Sequence, residues 1–166
     1  MKRNTKILII CLAAVLVAAI VVIALLLNKS YTDEYTAEEL YSKVINSFVT
    51  DGGNEILDSD VILEFSEENI PYLESYIVVK AKNAKNINEI GIFKIQGGKP
   101  KDMKSLVDAY VSNLQQAYRS MDYFPEEVEK IDCATVKIFG NYVVYSFLNE
   151  NDTESFYDTI EKTLTK

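Results

Sequence analysis

Four carboxylates, Glu89, Asp122, Glu126 and Glu127, are the side chains of this 166-residue chain best suited to chemistry. Two acids placed on either side of a glycosidic bond can protonate the leaving oxygen and activate water, so this set raises glycan hydrolysis as a reaction class. The plainer reading makes them solvated charges at the ends of strands and helices. That reading is preferred, and no catalytic residue is assigned. The chain contains no His, which removes imidazole-based triads and the commonest zinc ligand. Cys133 has no imidazole to activate it. The other thiol, Cys11, lies in the N-terminal apolar run, so Cys133 reads as a small apolar filler entering a strand. No G-x-G-x-x-G or Walker pattern is present, and Gly97-Gly98-Lys99 lacks the spacing of a phosphate loop. No cofactor is expected.

Two acidic clusters could offer oxygen ligands to Ca²⁺: Asp51, Asn54, Glu55, Asp58 and Asp60, then Asn149, Glu150, Asn151, Asp152 and Glu154. Neither has EF-hand loop spacing, and acidic loops are common in an acidic domain, so no metal ligand is assigned. Among the 11 tyrosines, Tyr31, Tyr35, Tyr72 and Tyr123 fall outside the obvious core stripes. Exposed aromatics of this kind suit peptide or glycan recognition, although ordinary packing is preferred.

These residues must be carried by elements whose periodicity is legible. Thr36-Ala37-Glu38-Glu39 forms a capping box, followed at helical spacing by Leu40, Val44, Ile45, Phe48 and Val49, so an amphipathic helix is expected to end before Asp51-Gly52-Gly53. The stretch to Leu73 is irregular; Asp60 to Phe65 fits a helical turn or a short strand. Ser75 to Lys82 and Asn88 to Gln96 are apolar on both faces, which suits central strands joined by a turn at Asn83 to Ile87. Gly97-Gly98 ends the second strand and Pro100 opens the strongest helix. Its stripe runs through Met103, Leu106, Val107, Tyr110, Val111, Leu114, Ala117, Tyr118 and Met121. Pro125-Glu126-Glu127 starts a short helical turn, with the carboxylates at its positive end.

Gly140-Asn141 between two β-rich runs predicts a two-residue hairpin with Gly at positive φ. That turn sets Phe139 opposite Tyr142, Ile138 opposite Val143, Val136 opposite Tyr145 and Ala134 opposite Phe147. One face then holds Ala134, Val136, Ile138, Val143, Tyr145 and Phe147, under the long helix. The other holds Thr135, Lys137, Val144 and Ser146 and reads as wetter, which suits a place at or near a sheet edge. Asp152 or Thr153 caps a last helix with Phe156, Tyr157, Ile160 and Leu164 as its stripe. The expected fold is α+β, an antiparallel sheet of about four strands in the order α-β-β-α-β-β-α, with the long helix on one face.

Ile7 to Leu27 is a run of 21 residues without a charge. As a helix it reaches about 32 Å, close to the ~30 Å hydrocarbon thickness of a bilayer. Lys2, Arg3 and Lys6 precede it and favour a cytoplasmic N-terminus. A cleaved signal peptide is the competing reading, but the run exceeds a signal h-region and Ala24-Leu25-Leu26-Leu27 offers no small-x-small site. Lipid attachment at Cys11 is disfavoured by bulky Ile10 before it. The expected organisation is a cytoplasmic N-terminus at 1–6, a single transmembrane helix at 7–27, a polar spacer at 28–35 and an extracytoplasmic domain at 36–166. Of 17 basic residues three precede the anchor, leaving 14 against 25 acids, a net charge of −11. Such a domain repels nucleic acid and anionic headgroups and admits cationic partners.

The segments AEELYSKV, NEIGIFKI, DYFPEEVEKI and VKIFGNYVVYSF, in that order and around a long amphipathic helix, resemble a family of uncharacterised membrane- or lipid-anchored domains of unknown function from Gram-positive anaerobic bacteria. The resemblance spans most of Ala37 to Leu148. It implies an extracytoplasmic envelope location and supplies no catalytic residues; this chain departs from lipid-anchored members by lacking a usable lipobox. The expected function is a non-catalytic binding or assembly module of the cell envelope. Its expected partners are the lipid bilayer, through the N-terminal helix, and an envelope protein or glycan. The alternatives are a carboxylate-dependent envelope hydrolase and a structural subunit of an envelope complex.

Overall fold

The computed structural model describes residues 30–45, 54–56, 65, 70–83, 85–121 and 125–166, without the side chains of 54–56, 125 and 126. The elements are α1 (Ala37–Val44), β1 (Asn54–Ile56), β2 (Leu73–Ala81), β3 (Glu89–Ile95), α2 (Pro100–Arg119), α3 (Pro125–Cys133), β4 (Thr135–Phe139), β5 (Tyr142–Phe147) and α4 (Glu150–Leu164). The α+β class and the antiparallel sheet stand as expected, but the order differs in two places. A three-residue strand, β1, precedes the two central strands, and the turn at Pro125 extends into a nine-residue helix. The sheet therefore has five strands, ordered β1-β2-β3-β5-β4. No helix among the described residues is long and apolar enough to cross a membrane. The expected span, Ile7 to Leu27, lies outside them, as do Phe48, Val49 and most of Asp60 to Phe65.

Local chemistry explains most boundaries. At α1 both capping-box bonds form: the Glu39 amide donates to Thr36 Oγ1 at 3.2 Å, and the Thr36 amide donates to Glu39 Oε2 at 2.8 Å. Pro100 begins α2, where its missing N–H would have no partner. Asn149, rather than Asp152 or Thr153, caps α4, accepting the Asp152 amide at 2.9 Å. The helix thus starts earlier than its apolar stripe suggested. The β4–β5 hairpin has the expected register, Phe139 against Tyr142 and Val136 against Tyr145, with Gly140 at φ +59°. In this tight turn a side-chain-bearing residue would be strained.

Both faces of the sheet are covered, and here the sequence reading needs correction. On one face α2 and α3 pack against Leu73, Val78, Phe93, Val136, Val143, Tyr145 and Phe147. On the other, α1 and α4 cover Ile77, Val79, Ile90, Ile92, Phe139, Tyr142 and Val144. The face expected to be wet is dry because Phe139 and Tyr142 belong to it and because Tyr157 of α4 satisfies its polar residues. The Tyr157 hydroxyl donates to the Thr135 carbonyl at 2.6 Å and accepts from Ser146 Oγ at 3.3 Å, and Lys137 Nζ sits 4.3 Å above its ring. The α2 stripe is narrower than expected. Met103, Val107 and Val111 are buried, whereas Leu106 is 44 % and Met121 54 % exposed.

Residues 31–35, read as spacer, are integrated into the fold. Tyr31 pairs with Thr165, its ring meets Phe139 edge-on at 5.9 Å, and its hydroxyl donates to Glu161 Oε1 at 3.0 Å. The Tyr35 carbonyl accepts from the Tyr142 hydroxyl at 2.6 Å.

Candidate functional site

The two candidate acids whose side chains are described, Glu89 and Glu127, do not converge. Glu89 opens β3 with its side chain under α2, where it is 4 % exposed. Its Oε1 accepts two hydroxyls, from Tyr145 of β5 at 2.5 Å and from Tyr110 of α2 at 3.0 Å. The arrangement follows from the sheet. Gly91 lies directly opposite Tyr145, and a Cβ at Gly91 would stand 2.1 Å from Tyr145 Cε1. The absent side chain lets the Tyr145 ring lie across β3 and reach Glu89, two residues back on the same face. Burial pushes the Glu89 carboxyl above its ordinary range, while the two hydroxyls and the Lys80 charge pull it back. Burial likewise raises both tyrosines, whose phenols therefore stay protonated as donors at neutral pH.

Glu127 is consumed elsewhere. On α3 its Oε2 accepts the Ile87 amide at 2.8 Å and its Oε1 accepts Lys130 Nζ at 2.6 Å, with both side chains buried. Lys130 also donates to Asn86 Oδ1 at 3.3 Å. This latch holds the β2–β3 turn against α3 and uses both carboxylate oxygens in bonding. Asp122 and the Glu126 side chain lie outside the described residues. Glu89 and Glu127 thus belong to two separate hydrogen-bond networks. They are not arranged as an acid–base pair with each other.

The remaining candidates resolve into architecture. Asn149 and Asp152 of the second acidic cluster bond each other at the α4 cap, Asn149 Nδ2 donating to Asp152 Oδ2 at 2.8 Å. Most of the first cluster lies outside the described residues, and no acidic or thiol group among the described residues is gathered for a metal ion. Cys133 is half-buried. Burial raises its thiol pKa, and Glu129, Glu150 and Asp132 raise it further, which leaves it a poor nucleophile. Of the tyrosines singled out, Tyr31 and Tyr35 have packing roles, and Tyr72 carries Lys99 Nζ at 5.6 Å over its ring.

The open ground lies along β4. Two clefts follow this edge strand. One, of ≈ 380 Å³, lies between β4 and α4 and is lined by Val136 to Phe139 with Tyr31, Lys104, Tyr157, Asp158 and Glu161. The other, of ≈ 400 Å³, is bounded by Cys133, Lys137, Glu150, Thr153 and Glu154. Lys137 borders both. The hairpin register turns the backbone groups of Thr135, Lys137 and Phe139 toward β5 and those of Val136 and Ile138 away from it. Acidic residues at helical spacing on α4, Glu150, Glu154, Asp158 and Glu161, line the helix side of these clefts. Sequence reading missed this constellation, although its parts were visible as a three- and four-residue acidic repeat beside a hairpin expected at an edge.

A family model described as a domain of unknown function (DUF4358) matches residues 60–148. The matched segment runs through β2, β3, α2, α3 and the β4–β5 hairpin, and ends before α4. No curated protein and no solved structure matches the chain.

Proposed function

This chain belongs to the DUF4358 family of domains of unknown function, and we propose that it is a non-catalytic binding or assembly module of the cell envelope. In this reading the apolar run Ile7 to Leu27 anchors the chain in the membrane, and the basic flank Lys2, Arg3 and Lys6 holds the N-terminus in the cytoplasm. The folded domain then faces the outside, and its partner is an envelope protein or glycan. A Gram-positive envelope is the setting suggested by the sequence resemblance.

One observation carries the binding reading. The buried acids Glu89 and Glu127 are engaged by internal partners, while the clefts lie along a strand whose outer edge faces no other described strand. Polar groups held inside serve stability, whereas Glu150, Glu154 and Asp158 line clefts that open to a ligand. The test is a photo-crosslinking residue installed at Lys137, in the clefts, with a control at Leu106 on the outer face of α2. In intact membranes a discrete adduct is expected at 137 and none at 106. Absence of any adduct at 137 overturns this reading, and cleavage of a wall glycan by the purified full chain supports the hydrolase in its place. Location is tested separately by adding protease to whole protoplasts, which is expected to digest residues 36–166.

A further inference from the structure

We propose that the open edge of β4 receives an extended peptide segment of a partner protein as a sixth strand, and that this segment carries cationic side chains at two positions four residues apart. The inference rests on the binding-module reading and specifies its ligand.

The backbone supplies the docking groups. In the β4–β5 hairpin the closing pair Phe139–Tyr142 is hydrogen-bonded, so the pairs Lys137–Val144 and Thr135–Ser146 are too. The ladder between β5 and β3 agrees, since the Ile95 amide donates to the Asn141 carbonyl at 3.0 Å, which places Val143, Tyr145 and Phe147 toward β3. The N–H and C=O groups of Val136 and Ile138 therefore point out of the sheet, where a strand would exchange four backbone hydrogen bonds with them. The clefts of ≈ 380 and ≈ 400 Å³ provide room along this edge.

Charge selects the occupant. Residues of an added strand alternate between the α2 side, shared with Val136 and Ile138, and the α4 side, shared with Lys137. On the α4 side the positions opposite Phe139 and Thr135 fall at the two ends of the acidic row: Asp158 and Glu161, whose Oε1 also accepts the Tyr31 hydroxyl, line the first cleft, where Lys104 of α2 is held by Asp108, and Glu150 and Glu154 line the second. The position between them faces Lys137. A segment with Lys or Arg at its two outer α4-side positions, a neutral residue between, and small apolar residues on the α2 side matches this surface. The net charge of −11 on the chain beyond the anchor draws such a segment in. A second copy of the chain does not match: pairing β4 with itself through Val136 and Ile138 sets Lys137 directly against Lys137, a like-charge contact at the centre of the new ladder.

The probe is the acetylated and amidated peptide TKVTVKT, titrated into the full chain held in neutral detergent micelles, with amide hydrogen exchange read residue by residue. Exchange at Val136 and Ile138 is expected to slow by about tenfold or more at saturation. The acidic peptide TEVTVET, and TKVTVKT methylated on both valine nitrogens, are expected to give no protection. Reversing two exposed acids of the row, Glu154→Lys with Asp158→Lys, is expected to weaken binding about tenfold or more, and 0.5 M salt to weaken it further. Ile138→Pro removes one outward N–H at an edge position that tolerates proline, and is expected to abolish protection; should that variant misfold, the charge reversal decides. Unchanged exchange at Val136 and Ile138 overturns the inference, as does equal binding of the acidic peptide. So does protection that rises with protein concentration in the absence of peptide, the mark of self-pairing. A crosslink at position 137 in membranes without TKVTVKT binding leaves the module reading standing and removes this one; absence of the crosslink removes the module reading itself.

Discussion

The middle of the sheet and its β4 edge handle polar groups in opposite ways. At the middle, Glu89 enters a dry layer and is met by two tyrosine hydroxyls, and Lys94 of the same strand reaches Glu74 at 2.7 Å. At the edge, two residues turn their amides and carbonyls outward beside a row of acids. Burial without a partner costs free energy, so the interior uses each charge to fix neighbouring elements. Exposure at the edge has no such penalty, and charge there can be spent on recognition. Glu89 and Glu127, two of the four acids that looked most like chemistry in the sequence, are absorbed into the structure.

This contrast can be broken at four points of decreasing effect. Glu127→Ala leaves the Ile87 amide buried without its acceptor and the Lys130 ammonium with Asn86 Oδ1 in place of a carboxylate, and is expected to destabilise the domain by about 3–5 kcal/mol in urea denaturation. Gly91→Ala sets a methyl group into the Tyr145 ring, for an expected loss of about 3 kcal/mol by the same measurement. Glu89→Gln keeps an acceptor for both hydroxyls and is expected to cost about 1 kcal/mol at low pH. Its pH dependence is the sharper readout. Burial raises the native carboxyl above its ordinary 4.5, so the native state holds a proton that the unfolded chain releases first. The stability contributed by Glu89 is full below 4.5 and declines as pH rises through the native value. Unfolding of the Gln variant should lack that decline, so the gap between the two proteins narrows from pH 4 toward pH 8. Lys137→Val is expected to move stability by no more than about 0.5 kcal/mol. It also removes the charge that guards the edge, and sedimentation should show new self-association.

Much of the frame was legible because its causes are local. Thr36 and Glu39 cap each other across one turn, Gly140-Asn141 sets the hairpin register, and the α4 stripe of Phe156, Tyr157, Ile160 and Leu164 repeats at helical spacing. What escaped depends on distant partners. Glu89 is surrounded in sequence by ordinary strand residues, and its acceptor role is set by Tyr110 and Tyr145, 21 and 56 positions away. The wet face assigned to the hairpin failed for the same reason: Thr135 and Ser146 look like solvent-facing residues until Tyr157 of α4 covers them. β1 has only three residues, too few for alternation to register. The β4 clefts could not be foreseen because α4 lies beside β4 only after both sheet faces are filled.

One small contact has a topological consequence. The bridge between Tyr31 and Thr165, with the Thr32 amide on the Leu164 carbonyl at 2.8 Å, brings the start and finish of the folded unit to the same place. The unit is nearly a closed ring of chain. Joining Tyr31 to Thr165 through a short linker and cutting the ring at the exposed Gly97-Gly98 turn yields a circular permutant that retains every strand pairing and both helical layers.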